Sequence, residues 1–155
     1  YLLSWKAKKL NINTRFIELS GEINNHMPDY VSKKVINILA KNFKKINKKK
    51  ILILGVSYKK NSADTRETPS IKIIQNLEKK GFDIYVSDKY CSKSYLKTNN
   101  LKNINLNSKN IKKFDCIVIV TDHDYFNYSL IEQKAKLVVD WRGRIKKTSI
   151  TRLRA

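Results

Sequence analysis

The sequence predicts an α/β fold, a Rossmann-like parallel sheet with helices on both faces, preceded by a long helix that Pro28 is placed to kink. Three observations predict it. Apolar runs of strand length at 50–56, 83–88, 115–121 and 136–141 alternate with helical segments, and several are apolar throughout, as strands buried on both faces are. From 15 to 43 apolar residues recur in steps of three and four without losing phase. The chain has 155 residues, 41% of them apolar, enough for one ordinary domain with a core and something more.

Residues 1–10 are helical in character but lack a cap, and the first residue is Tyr1 rather than Met, so the chain is expected to begin inside a structural element. The stripe that follows comprises Phe16, Leu19, Ile23, Met27, Tyr30, Val31, Val35, Ile38, Leu39 and Phe43. Pro28 interrupts it, where a proline removes a helical hydrogen bond, so one bent helix or two nearly coaxial ones are expected. At ~1.5 Å per residue such an element is on the order of 40 Å long, more than a small sheet covers. Its surplus apolar face needs a partner, either another domain of the same chain or a second subunit.

A lysine-rich connector, 42–50, leads into the alternating region. The first strand spans 50–56. A helix over 70–80 has Thr68 as its N-cap, Pro69 in the first helical position, and Ile71, Ile74 and Leu77 on its apolar face, and it ends before Gly81. A second strand follows at 83–88. The polar stretch 91–110 holds a helix near Tyr95 and a weak strand near Ile104. A strongly apolar strand at 115–121, a short helix at 125–134 and a last strand at 136–141 complete the pattern.

Lys and Arg number 33 against 13 Asp and Glu, a formal net charge of +20. The positive residues are spread over the whole chain, with no arginine-rich run interleaved with aromatics, so a solvated lysine-rich surface is expected rather than a dedicated nucleic-acid interface. No apolar run approaches a membrane span and no signal-peptide pattern is present, which places the expected protein in the cytoplasm, off the membrane. Cys91 and Cys116 have no metal or redox spacing. Cys116 belongs to a buried strand, whereas Cys91, just past a strand, is free to lie at the surface.

Ligands of open α/β sheets sit outside the carboxyl ends of the strands, where the next helix also directs unpaired N–H groups. Lys59, Lys60 and Arg66 occupy the loop after the first strand, and Arg142 leaves the last strand at the same edge. These are anion-binding residue types, an arginine being suited to a bidentate clamp, although Lys59 and Arg66 are equally compatible with plain solvated charges. Asp64 can orient Arg66 or make a local turn bond. Gly55 stands alone, with neither G-x-G-x-x-G nor G-x-x-x-x-G-K-[ST] around it. Asp122-His123-Asp124 reads as a helix cap rather than a metal or acid/base site. No nucleophile–base pair or catalytic carboxylate pair is evident, so no catalytic residue and no metal ligand is assigned.

The run Gly55-Val56-Ser57-Tyr58-Lys59-Lys60-Asn61-Ser62-Ala63-Asp64-Thr65-Arg66-Glu67-Thr68-Pro69-Ser70, followed by Thr121-Asp122-His123 and Val139-Asp140-Trp141-Arg142, resembles the C-terminal part of the UDP-glucose/GDP-mannose dehydrogenase family. The likeness covers essentially the whole chain. The segments around Trp5 and 22–31 are most similar to the bacterial branch that oxidises UDP-N-acetyl-hexosamines for surface polysaccharides. The resemblance implies an NAD-dependent, four-electron oxidation of a sugar C6 alcohol to a carboxylate through a cysteine. It further implies that 1–46 ends a central helical dimerisation domain and that 50–155 is a UDP-sugar-binding domain. Tyr58 and Lys59 would contact the nucleotide sugar, Arg142 its diphosphate or sugar end, and Arg66 the NAD held mainly by an N-terminal domain. A homodimer through the long helix is implied as well. The family's catalytic cysteine motif and its glycine-rich domain are expected upstream of Tyr1, so the 155-residue polypeptide alone is expected to be inactive. The family's D-[TGS]-R is here Asp140-Trp141-Arg142. A free-standing basic module of the same fold, capturing nucleic acid or another polyanion, is the competing expectation.

Overall fold

A computed structural model describes Lys6 and residues 15–146. The expected helical opening over 1–10, Lys6 apart, and residues 147–155 of the expected second domain lie outside the described residues. The elements in chain order are α1 (Arg15–Asn42), β1 (Lys50–Leu54), α2 (Ser70–Glu78), β2 (Asp83–Ser87), α3 (Lys93–Thr98), a single 3-10 turn (Ile111–Lys113), β3 (Cys116–Ile119), α4 (Tyr128–Lys134) and β4 (Val138–Asp140).

The four strands form one sheet in the order β2-β1-β3-β4, every neighbouring pair parallel. Because successive strand residues face opposite ways, β1 supplies both halves of the core. Ile51 and Ile53 join Val35, Leu39, Ile73, Ile74 and Leu77 under α1 and α2. Leu52 and Leu54 join Phe126, Ile131 and the 3-10 residue Ile111 on the other face. Each of these side chains contributes about 1.5–3 kcal/mol by leaving water.

α1 is one helix of 28 residues, about 42 Å long, and it runs through the buried Pro28. Its last turns bury Val31, Val35, Ile38 and Leu39, and Ser32 Oγ donates to Pro28 O at 2.7 Å. Its first half extends past the sheet, leaving Phe16 (82%), Leu19 (54%) and Ile23 (54%) exposed. α2 begins at Ser70; Pro69 flanks it with helical angles (φ −70°, ψ −15°) and no side-chain cap. Thr68 Oγ1 accepts only a long 3.4 Å bond from Ser70 N, weaker than the cap expected of it. The expected strand near Ile104 shrinks to a bridge between Val86 and Asn103. Among the described residues no helix is long and apolar enough to cross a membrane.

Cys116 is buried as expected, but Cys91 is buried too, at 7% exposure. The physical cause is the turn after β2: Asp88 Oδ1 accepts from Tyr90 N (2.9 Å) and Cys91 N (3.2 Å), which folds the chain back and seats Cys91 in the core beside Tyr95 and Leu96 of α3.

Candidate functional site

Two loops shape the carboxyl edge of the sheet: 55–69 after β1 and 120–127 after β3. Gly55 starts the first with φ +79°, a conformation favouring glycine, and a Cβ there would stand 2.3 Å from Thr121 O. The two loops therefore touch at their roots. They are then stitched together by side chains. Thr121 Oγ1 donates to Ser57 O (2.6 Å), Asn61 N to His123 Nδ1 (2.8 Å), Asn61 Nδ2 to Asp124 Oδ2 (2.6 Å) and Asp124 N to Asn61 Oδ1 (3.0 Å).

Beneath this seam lies Asp88, which sequence reasoning assigned only to the end of a strand. Its carboxylate gathers Val56 N, Ser57 N, Ser57 Oγ and His123 Nε2 on Oδ2 and the two turn amides on Oδ1. Burial opposes ionisation, but the bonds from His123, Val56 and Ser57 outweigh it and hold the carboxyl well below the usual carboxylate range. A fully buried histidine between two loops is the other residue the sequence left unassigned. The turn Asp122-His123-Asp124 does not cap α4 as expected. Asn127 does, its side chain accepting from Leu130 N at 3.0 Å, because the helix starts at Tyr128, four residues past Asp124. The two aspartates instead receive Arg144, whose Nη2 is 3.0 Å from Asp124 Oδ1 and Nη1 3.8 Å from Asp122 Oδ2.

This frame presents Tyr58 and Lys59. Tyr58 N donates to Asp64 O (2.7 Å), closing the loop, while the residue is 48% exposed and its ring centroid lies 5.9 Å from Lys59 Nζ. Among the described residues no carboxylate stands within ion-pair distance of Lys59. Asp64 fulfils both expected roles. Its Oδ1 accepts from Arg66 N (3.0 Å) and Nε (2.9 Å), its Oδ2 from Nη2 (2.8 Å), and these bonds, the side-chain bond foremost, depress its carboxyl strongly. Arg66 is 88% exposed and projects from the domain.

Arg142 follows β4. Asp140 ends β4 buried, accepting from Arg142 N (2.8 Å), Gly143 N (2.9 Å) and Ile145 N (2.8 Å), so the chain turns at once and Arg142 Nε returns to Val120 O at 2.9 Å. Arg142 and Trp141 line a cavity of about 180 Å³ with Met27, Val31, Pro69, Ile73 and Val120. Tyr58 and Lys59 are not among its walls; the loop that carries them reaches it through Pro69.

Residues 52–147 match the sequence family described as "UDP-glucose/GDP-mannose dehydrogenase family, UDP binding domain". The chain belongs to the UDP-glucose/GDP-mannose dehydrogenase family. A UDP-N-acetyl-D-mannosamine dehydrogenase of Methanococcus vannielii is 33% identical over 147 residues, 90% of this chain and 33% of the relative. Among solved structures, the UDP-D-ManNAc dehydrogenase of Pyrococcus horikoshii superposes with a TM-score of 0.71 at 23% identity, over 94% of this chain and 34% of its own. The GDP-mannose dehydrogenase of Pseudomonas aeruginosa does so with a TM-score of 0.75 at 16% identity, over 97% and 36%. These two likenesses establish the fold. The chain spans about a third of the length of the curated relatives it matches.

In this member of the dehydrogenase family the loops that leave β1 and β3 at the sheet's carboxyl edge are joined by the Asn61–Asp124 and Ser57–Thr121 bonds. The thiols offer no nucleophile. Burial pushes Cys91 up to about 11 and drives Cys116 further in the same direction.

Proposed function

We propose that this chain supplies the nucleotide-sugar-binding part of an NAD-dependent dehydrogenase that oxidises the C6 alcohol of a UDP-sugar to a carboxylate, in the synthesis of polysaccharide precursors. The observation that carries this reading is Lys59, a cation with no carboxylate within ion-pair distance among the described residues, on a loop that Asp88, His123 and Asp64 hold in one shape at the sheet's carboxyl edge. A fixed loop offering an ammonium outside any close ion pair, beside an exposed aromatic ring, suits a nucleotide's diphosphate and base. Tyr58 and Lys59 take that end, and Arg142, with Nε anchored on Val120 O, takes the diphosphate or sugar end. The names of the relatives, dehydrogenases of UDP-N-acetyl-D-mannosamine and GDP-mannose, agree with a nucleotide sugar.

In this reading NAD, which accepts the hydride, is held by a part of the enzyme other than 50–155, and Arg66 faces it from this side. Residues 1–46 form the end of a helical dimerisation domain, and the exposed apolar half of α1 pairs with a second copy. The two thiols, unpaired and buried, agree with a cytoplasmic protein.

Calorimetric titration with UDP tests the assignment. UDP is expected to bind in preference to ADP, and Lys59→Ala to weaken UDP about tenfold, or about 1.4 kcal/mol. Equal affinity for both nucleotides, or no loss in the variant, overturns it.

A further inference from the structure

The amino edge of the sheet, opposite the edge that carries Tyr58 and Lys59, is entered by lysines at every strand. Lys48, Lys49 and Lys50 lead into β1, Lys79 and Lys80 into β2, Lys112 and Lys113 into β3, and Lys134 and Lys136 into β4. All four strands are parallel, so these entries lie side by side across an edge on the order of 15 Å wide. Backbone bonds hold them in register: Lys48 N donates to Gly81 O (3.0 Å), Asp83 N to Lys49 O (3.0 Å) and Asp115 N to Lys50 O (2.8 Å). All of these lysines are exposed except Lys49, which is half-buried.

The carboxylates of this edge do not balance them. Asp83 pairs with Lys102, Asp115 is shared by Lys49 (3.7 Å) and Lys136 (3.9 Å), and Glu132 accepts from Lys146 N. Among the described residues Lys48, Lys50, Lys80, Lys112 and Lys113 have no carboxylate within ion-pair distance. At the carboxyl edge, by contrast, Arg66 pairs with Asp64, Arg144 with Asp122 and Asp124, and Lys60 with Asp124. The unpaired positive charge is therefore concentrated at the amino edge.

The chemistry of that edge selects among anionic partners. Its cations are lysines alone, since the described arginines lie at the start of α1 and past the carboxyl ends of β1 and β4. Phe43, the aromatic nearest the connector, is half-buried, with Lys49 Nζ 4.5 Å from its ring centroid. Without guanidinium forks or open rings such an edge neither reads bases nor stacks on them. Ammonium groups on flexible stems act as point charges, and they suit phosphates spread over a flat surface. The edge also stays clear of whatever covers α1. Met27 already lies against Val120 and Arg142, so the turns before it run out past the carboxyl edge, and a body joined through them sits away from the lysines.

We propose that the amino edge of the sheet docks the protein on an anionic lipid surface, its lysines taking phospholipid headgroups while the carboxyl edge faces away. Attachment of this kind needs no spanning helix, and each lysine close to an anionic leaflet strengthens it by roughly fivefold. It stands apart from the nucleotide-sugar reading, because none of these lysines belongs to the loops that bear Tyr58, Lys59 or Arg142.

Vesicle co-sedimentation of the 155-residue chain is the test. Phosphatidylcholine vesicles with about a third phosphatidylserine are expected to pull the chain down at about 0.1 M salt and to release most of it at about 0.5 M, while pure phosphatidylcholine leaves it in solution. Lys80→Glu with Lys113→Glu should weaken the binding at least about tenfold. Lys89→Glu with Lys93→Glu, the same change in net charge placed past the carboxyl end of β2, should alter it less than about threefold, since it lies beyond the screening length from the docked edge. Equal losses in the two variants, equal sedimentation with uncharged vesicles, or no sedimentation with either lipid overturns the proposal. Tighter binding to a DNA duplex than to the anionic vesicles at equal phosphate concentration, lost in Lys80→Glu with Lys113→Glu, overturns it by giving the edge to nucleic acid. The lipid and salt dependence are read on wild-type protein, so a variant that fails to fold does not shield the proposal. Failure of UDP to bind bears on the nucleotide-sugar reading alone.

Discussion

His123 Nε2 lies 2.9 Å from Asp88 Oδ2, and both side chains are wholly shielded from solvent. Because His123 Nδ1 accepts the Asn61 amide, the ring's proton sits on Nε2 and is donated to the carboxylate. The imidazole therefore works as a rigid strut from the end of β2 to the loop bearing Tyr58 and Lys59. Its place between two aspartates in sequence suggests a metal or acid/base role, yet its bonds tie backbone to backbone.

Asp88→Asn should cost about 3 kcal/mol or more, since it turns an amide NH2 or a poorer acceptor toward donors that converge on one carboxylate. Urea denaturation measures this. A variant as stable as the wild type would show that the amides at Val56 and Ser57 find other partners.

The same carboxylate predicts an acid transition. Its folded-state pKa is depressed, so its contribution is complete above the unfolded value, near 4, and is lost as pH falls below that. Melting temperature should fall steadily as pH is lowered from about 5, and the fall should be shallower in Asp88→Asn. Asp64 is depressed as well, but it lies at the surface, where solvent screening leaves its pair with Arg66 little weight. Parallel pH profiles for the two proteins would contradict the assignment.

Gly55→Ala should be among the most damaging small substitutions in the chain. The positive φ alone costs on the order of 1–2 kcal/mol with a Cβ. The new methyl also meets the backbone carbonyl of Thr121, which β3 and the loop seam prevent from moving. A loss of about 3 kcal/mol or more is expected, with weaker UDP binding as the loop root shifts. Full stability and affinity in the variant would mean that the two loop roots part freely.

Neither cysteine should react with a thiol reagent at pH 8 in the native protein, and both should react on unfolding, because burial raises each thiol. The 155-residue chain is accordingly expected to bind nucleotide sugar without producing NADH from it. Rapid native labelling of Cys91, or NADH formation by the chain, would refute these expectations.

The sheet is legible in the sequence because strands buried on both faces, such as Cys116-Ile117-Val118-Ile119, leave unbroken apolar runs. α1 is legible through Pro28 because its stripe keeps phase across the proline. The frame of the site is not, for a reason visible at Asp88. Its partners Val56, Ser57 and His123 lie more than thirty residues away, and most of them are backbone amides with no residue-type signature. Cys91 misleads for the same cause, since a tertiary carboxylate rather than local pattern turns it inward. The strand order β2-β1-β3 would have offered a signal. It places the ends of β2 and β3 on either side of Gly55, so an Asp and a His just past those two strands are within reach of each other.

The exposed half of α1 supplies the last prediction. Phe16, Leu19, Ile23, Met27 and Tyr30 follow one another at helical spacing, and all are at least 38% exposed, whereas Val31, Val35, Ile38 and Leu39 on the same helix are buried. Pro28 is buried, Met27 lines a cavity with Trp141 and Tyr30 packs against Trp141, so among the described residues it is the turns before them, bearing Phe16, Leu19 and Ile23, that are left uncovered. A contiguous apolar stripe of this length on a helix with a strongly basic protein behind it is expected to pair with its copy, since apolar association tolerates the like charge that otherwise keeps the chains apart. Light scattering coupled to gel filtration should find a dimer. Leu19→Glu with Ile23→Glu should raise its dissociation constant by at least about a hundredfold, or about 2.7 kcal/mol, by placing charges in the middle of the stripe while replacing no residue that lines the Arg142 cavity. A wild-type chain that stays monomeric, or a dimer indifferent to both glutamates, would assign the stripe to some other neighbour.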